Sequence, residues 1–84
     1  MIRVEVWQGP SGNYVRASWM NGLFPMHADV NKAMDLFFLA RIAEHLNEKV
    51  MVLDGVCTCL GIDKDVVLDI LNGVLYESEF GVWS

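Results

Sequence analysis

Hydrophobic and polar residues alternate along two stretches near the start of the chain. Within residues 2–8 the aliphatic side chains stand at positions 2, 4 and 6, and residues 14–20 repeat the pattern with Val, Ala and Trp at 15, 17 and 19. A period of two is typical of a strand with one buried face. Residues 9–13, which are rich in turn-forming residues, separate the two stretches. The pattern therefore predicts an antiparallel hairpin with a Gly-containing loop.

A helical pattern follows the hairpin. Pro25 closes an irregular region, and Asp29 is a suitable cap for a helix that runs to about Lys49. The centre of this helix, Leu36–Ala40, is apolar on all sides, whereas both of its ends carry polar stripes. Such a centre is either sandwiched between two layers or half-exposed at an interface, and the sequence leaves both alternatives open.

Two shorter helices are predicted next. Residues 50–53 fit either a short strand or the start of the following helix, which is capped at or just before Asp54 and ends at Gly61. Asp63 then caps a further helix, and Gly73 stops it.

Alternation returns over residues 74–83 and predicts a third strand. The predicted order is β-β-α-α-α-β, without an internal repeat or a linker, so residues 1–84 are expected to form one domain. Because both terminal segments are strands, we expect them to pair. The predicted fold class is α+β: a three-stranded antiparallel sheet, made of the N-terminal hairpin and the C-terminal strand, packed on three helices.

The composition narrows the classes of function. Hydrophobic residues make up 54% of the 84 residues, a surplus that favours a homodimer or a protein partner. Eleven acidic residues against six basic ones give a net charge of −5, which has the wrong sign for nucleic acid and for an anionic membrane surface. No apolar run approaches about 18 residues and no signal peptide is visible, so we expect a cytoplasmic protein.

Residues 56–73, VCTCLGIDKDVVLDILNG, are spaced like two helices joined by a tight turn. The small residue Cys57 precedes Gly61 by four positions. Apolar residues recur at the spacing that fixes the second helix on the first: Val56, Leu60, Ile62, Val67 and Ile70. The segment resembles the helix-turn-helix of bacterial and phage regulators, most closely that of the lac-repressor family. The resemblance implies three packed helices, and the flanking strands loosely resemble a winged arrangement.

In that family, the exposed start of the second helix enters the major groove and reads base edges. The matching residues here are Asp63, Lys64, Asp65, Val66, Leu68 and Asp69. Three carboxylates with one lysine would repel the phosphate backbone. The helix is therefore either an acidic face in contact with solvent or a surface that docks on a protein, and DNA reading is the third alternative.

The residues that could support metal or nucleophilic chemistry lack the necessary spacing. Cys57 and Cys59 would point to different sides of a helix, and no motif places either thiol beside His27 or His45. Neither a phosphate-binding Gly loop nor a nucleophile elbow is present. We therefore expect a protein without catalytic residues, metal or cofactor, whose two thiols are buried and inert.

Two groups of apolar residues are further candidates for a dimer or partner surface. The first is the centre of the long helix, with Leu36, Phe37, Phe38 and Leu39. The second comprises Trp7 and Tyr14, which alternation places on the strand face opposite the Val-rich one. Exposed aromatic side chains are enriched in protein interfaces, although they also stack across strands within a fold.

These features predict a non-enzymatic, protein-binding regulator or inhibitor. By analogy with small acidic phage and prophage proteins, the expected partner is a host protein that handles nucleic acid, bound through the acidic helix in the host cytoplasm. The alternative is a dimeric helix-turn-helix transcriptional regulator that reads DNA through Lys64 and basic groups elsewhere and dimerises through the Phe37–Phe38 region.

Overall fold

The computed structural model of the chain describes residues 1–71, 76–78 and 81–83. Three strands come first, and a helix of 14 residues and several shorter helices and strands follow them. The elements are β1 Ile2–Gly9, β2 Gly12–Asn21, β3 Phe24–Val30, α1 Ala33–Leu46, β4 Val50–Val52, α2 Val56–Leu60, α3 Lys64–Ile70, β5 Tyr76–Ser78 and β6 Gly81–Trp83.

The strands form one mixed sheet, so the predicted three-stranded antiparallel sheet is wrong. The strand order is β3-β2-β1-β4-β5-β6, in which β5 and β6 are short additions to the four-strand sheet β3-β2-β1-β4. The predicted hairpin of β1 and β2 is confirmed, and β3 continues it antiparallel to β2. β4 pairs parallel to β1, in the place that the prediction gave to the C-terminal strand. In the described residues the two terminal strands therefore do not pair with each other.

Strand β3 is missing from the prediction because its sequence, FPMHADV, shows no alternation. Most of its side chains are exposed, since it is an edge strand that pairs only with β2 in the described part of the chain. Pro25 is tolerated there, because proline cannot donate a hydrogen bond to a ladder and is confined to sheet edges. Asp29, predicted as a helix cap, is instead a residue of β3 opposite Arg16.

The ambiguous residues 50–53 contain the strand β4. Val50 and Val52 are fully buried, and a strand of three residues is too short to display a clear period. Within the predicted strand 74–83, residues 76–78 and 81–83 form two strands instead of one. The rest of that stretch lies outside the described residues.

Helix α1 begins at Ala33, three residues later than a cap at Asp29 predicts. The carboxylate of Asp35 fixes this start. Its Oδ2 accepts hydrogen bonds from the backbone N–H groups of Asn31 at 2.8 Å and Lys32 at 3.2 Å. These donors have no partner within the helix, so the carboxylate satisfies groups that would otherwise depend on water.

Two residues in the left-handed conformation end the first two helices. Asn47, with φ of 55°, ends α1 before the predicted boundary at Lys49. Gly61, with φ of 69°, ends α2, and here the prediction is confirmed. Glycine has no Cβ to oppose this conformation, which explains why the second stop could be predicted and the first could not.

The short helices α2 and α3 begin at different kinds of residue. Asp63 occupies the cap position of α3 as predicted, although its side chain makes no capping hydrogen bond. α2 is preceded by Gly55 with φ of 87°, and Asp54 is not its cap. Gly73, the predicted stop of α3, lies outside the described residues.

The core lies between one face of the sheet and the inner sides of the helices. Its buried residues are Ile2, Val4, Val15, Ala17, Val30, Leu36, Leu39, Ala40, Ala43, Val50, Val52, Val56, Val67, Ile70 and Leu71. α3 packs mainly on α1, whereas α2 packs mainly on β1 and β2. This arrangement differs from the three mutually packed helices that the helix-turn-helix resemblance implies. The described helices leave the other face of the sheet uncovered.

Candidate protein-binding surfaces

The outer side of α3 carries the acidic residues that the sequence singled out. Its exposed residues are Asp63, Lys64, Asp65, Val66 and Asp69. The side chain of Leu68 lies outside the described part of the structure. The inner side of the helix contributes Val67 and Ile70 to the core, so the helix is held by apolar packing while its carboxylates face solvent.

The outer side of α1 exposes three large apolar side chains. Met34, Phe37 and Phe38 are 57%, 52% and 62% exposed. Leu36 and Leu39 are buried in the core, so their assignment to a surface patch is wrong. Successive residues of a helix point about 100° apart, and a run that is apolar on all sides must therefore leave some members in solvent.

α1 and α3 pack on each other, and each contributes exposed side chains on the side that faces away from the core. We call these side chains together the helical surface and define it by Met34, Phe37 and Phe38 of α1 and Asp63, Asp65, Val66 and Asp69 of α3. Protein interfaces typically combine apolar and charged side chains of these kinds.

A second apolar area lies where β2 turns into β3. Leu23, Phe24 and Met26 are 92%, 72% and 41% exposed. Gly22, with φ of 64°, is the first residue of a two-residue turn, and a glycine at this position suits a tight hairpin. The sequence predicts a turn at Asn21-Gly22 but no strand after it, so this area was missed.

On the uncovered face of the sheet, Arg16 lies against two aromatic rings. Its Cζ is 5.3 Å from the ring centroid of Trp7 and 5.4 Å from that of Tyr14. Its Nε is 3.8 Å from Oδ1 of Asp29, an ion pair without a hydrogen bond. Trp7 and Tyr14 thus lie on the face that alternation predicts, and both contact a cation from their own fold.

A cleft of about 440 Å³ opens beside Arg16, and its lining includes Ser18 and His27. These two residues lie directly opposite each other on β2 and β3. No hydrogen bond joins them in the described part of the chain. The contact by which a histidine activates a serine is therefore absent from the described residues.

The two free thiols differ in exposure. Cys57 is half-buried, whereas Cys59 is exposed, so the expectation that both are buried does not hold. Burial raises the pKa of the Cys57 thiol, Lys64 opposes this effect, and Asp63 adds to it. A thiol that stays protonated is a poor nucleophile. Among the described residues, no three His, Cys, Asp or Glu side chains come together as a metal site.

Comparison of the chain with protein-family models, with curated proteins and with solved structures finds no match. Within the described ranges, no helix combines the length and the apolar character needed to cross a membrane. What the protein does must then follow from the chemistry of its own surfaces.

Proposed function

We propose that the protein is a non-enzymatic, protein-binding regulator and that its partner docks on the helical surface. The observation that carries this proposal is the exposure of Met34, Phe37 and Phe38 on a helix whose other side is buried in the core. Covering apolar surface is worth about 25 cal/mol per Å², so a partner that covers these side chains gains binding energy. Methionine and aromatic side chains are also the ones enriched at interface centres.

The charge of α3 indicates the chemistry of the partner. Asp63, Asp65 and Asp69 are exposed at α3, which packs on the helix that carries the exposed apolar side chains. Carboxylates in this position favour a basic protein surface, because complementary charge speeds association and disfavours other partners. Basic surfaces are typical of proteins that handle nucleic acid, so a regulator or inhibitor of such a protein fits the helical surface.

The same carboxylates argue against DNA as the ligand of α3. A helix that enters the major groove lies between two phosphate backbones, and affinity there depends on neutralising phosphates with cations. Asp65 and Asp69 face solvent in the first and last turns of a helix of seven residues. Both would approach phosphates of like charge.

Affinity capture from extracts of the native source, with variants of the helical surface, tests the proposal. We expect the wild-type chain to retain a basic protein. The double variants Phe37→Ser/Phe38→Ser and Asp65→Asn/Asp69→Asn should each lower its recovery at least about tenfold, which corresponds to about 1.4 kcal/mol. Added salt should weaken capture by the wild type, because exposed charges are screened.

The matched control is Glu5→Gln/Asp29→Asn, which removes the same number of carboxylates from the other side of the sheet. Glu5 and Asp29 occupy the sheet positions on either side of Arg16, away from the helices. This control should retain the partner. Recovery that is unchanged in both helical-surface variants, or lost equally in the control, would contradict the proposal.

A further inference from the structure

The outer edge of β3 is open in the described part of the chain. β3 pairs with β2 on one side only and stands at the end of the sheet order. An edge of this kind presents backbone N–H and C=O groups to any extended segment that approaches. Exposed apolar side chains at the same edge, Phe24 and Met26, make it more receptive to a protein strand.

Two features at the start of β3 determine which of its residues direct their backbone N–H and C=O groups toward β2 and which direct them outward. A two-residue turn joins Asn21 to Phe24, and the residues that close such a hairpin bond to each other. Pro25, the next residue, has no N–H and must direct its nitrogen away from β2. By alternation, His27 and Asp29 also direct their backbone groups outward, where they are available to another strand.

We propose that the outer edge of β3 pairs antiparallel with β3 of a second copy of this chain, about a two-fold axis at His27. His27 is the middle residue of Phe24–Val30, so this register alone pairs the full length of both strands. The two His27 residues exchange N–H···O=C hydrogen bonds. Each Asp29 N–H donates to the Pro25 carbonyl of the other copy, so the missing N–H of Pro25 is not needed for these bonds.

The side chains suit this pairing. On the face toward the helices, Met26 falls opposite Ala28 of the second copy, and Phe24 falls opposite Val30. The large side chains Met26 and Phe24 therefore face a small residue and a buried one, which avoids a steric clash and covers the exposed Phe24 ring of each copy. A strand edge that is self-complementary in this way gives the isologous contact of a two-fold dimer.

The exposed apolar surface at and beside the β3 edge is close in area to the surface that a stable dimer buries. With about 200 Å² for a fully exposed large side chain, the exposed fractions of Leu23, Phe24 and Met26 correspond to roughly 400 Å² per copy. Two copies contribute about 800 Å², and the backbone edge with His27 adds to this. The total approaches the ~1,000 Å² expected of a biological interface. This interface does not depend on the helical surface or on the proposed partner.

Disulfide trapping tests the register. Directly opposed residues in a bonded antiparallel pair lie about 5.5 Å apart at Cα, within the range of a disulfide. In a Cys57→Ala/Cys59→Ser background, which removes both native thiols, His27→Cys should form a covalent dimer on mild oxidation. Asp29→Cys in the same background should not, because its Cα would lie about 13 Å from its counterpart.

Sedimentation of the unmodified chain supplies an independent readout. We expect a dimer whose dissociation constant rises at least about tenfold in His27→Asp, which places two carboxylates opposite each other. Phe37→Ser/Phe38→Ser should leave the dimer intact.

Two results would overturn the proposal directly: a monomer at all protein concentrations, or equal cross-linking of the His27→Cys and Asp29→Cys variants. Dissociation by the Phe37/Phe38 change but not by His27→Asp would also overturn it and would assign the dimer to α1. A monomer would leave partner capture by the helical surface unaffected.

Discussion

The guanidinium carbon of Arg16 lies 5.3 Å from the centroid of the Trp7 ring, within the range of a cation–π interaction. Tyr14, directly opposite Trp7 on the neighbouring strand, brings a second ring within 5.4 Å of the same carbon. The Nε of Arg16 is buried and makes no hydrogen bond. The rings therefore supply part of the electrostatic stabilisation that water would otherwise give this cation.

A double-mutant cycle measures the Arg16–Trp7 contact. We expect Arg16→Leu and Trp7→Leu to show a coupling of about 0.5–1 kcal/mol in urea denaturation, because the pair is partly withdrawn from solvent. The Arg3–Glu5 ion pair, with Nη2 and Oε2 3.4 Å apart on the same face, serves as the comparison. Its coupling should be smaller, since exposed ion pairs contribute little. Equal couplings, or none for Arg16 and Trp7, would show that the rings do not stabilise the cation.

Leu36 and Phe38, two residues apart on α1, should differ strongly in how truncation changes the free energy of unfolding. Leu36 is fully buried, so Leu36→Ala should lower the free energy of unfolding by about 2–5 kcal/mol. Phe38 is mostly exposed, and Phe38→Ala should change it by no more than about 0.5 kcal/mol. Denaturation followed by tryptophan fluorescence gives both values. A loss in Phe38→Ala as large as that in Leu36→Ala would mean that the ring is buried in solution.

The difference between Leu36 and Phe38 also shows what the sequence could not decide. Leu36–Ala40 is apolar at every position, so no periodicity separated its buried members from its exposed ones. Of the two alternatives for this helix centre, the half-exposed one matches the structure, with the phenylalanines outside and the leucines inside. At α3, the carboxylates that the helix-turn-helix resemblance assigned to the outer side, Asp63, Asp65 and Asp69, are all exposed.

The sheet was predictable only where strands are neighbours in the sequence and alternate clearly. The pairing of β1 with β2 meets both conditions. β3 fails the second, because Pro25, His27 and Asp29 mark it as polar and irregular although it is a regular edge. The parallel pairing of β1 with β4 joins residues about fifty positions apart, Ile2 and Val50, and leaves no local signature. A non-local pairing of this kind depends on the whole topology.

Asp35 should stabilise the start of α1 through its two backbone hydrogen bonds. Asp35→Ala leaves the N–H groups of Asn31 and Lys32 without this acceptor and should lower the free energy of unfolding by about 1 kcal/mol. Asp35→Asn keeps an acceptor but loses the charge, so it should cost less. Thermal or urea denaturation of both variants checks the order. An equal loss in both would show that the negative charge matters more than the acceptor.

Cys57 and Cys59 should be distinguishable by their reactivity and by pH. In the folded protein, Cys59 should react quickly with a thiol reagent and Cys57 slowly, because Cys57 is half-buried and burial raises its pKa.

The raised pKa of Cys57 means that the folded state holds the thiol proton more tightly than the unfolded state does. The resulting stabilisation is fully present below the ordinary thiol value of 9.0 and is lost as pH rises through the higher folded value. Between pH 9.0 and the higher folded pKa of Cys57, the free energy of unfolding should therefore fall more steeply with pH in wild type than in Cys57→Ala, with Cys59→Ser as the matched control. Equal labelling rates for the two thiols, together with parallel pH profiles for wild type and Cys57→Ala, would place Cys57 in solvent.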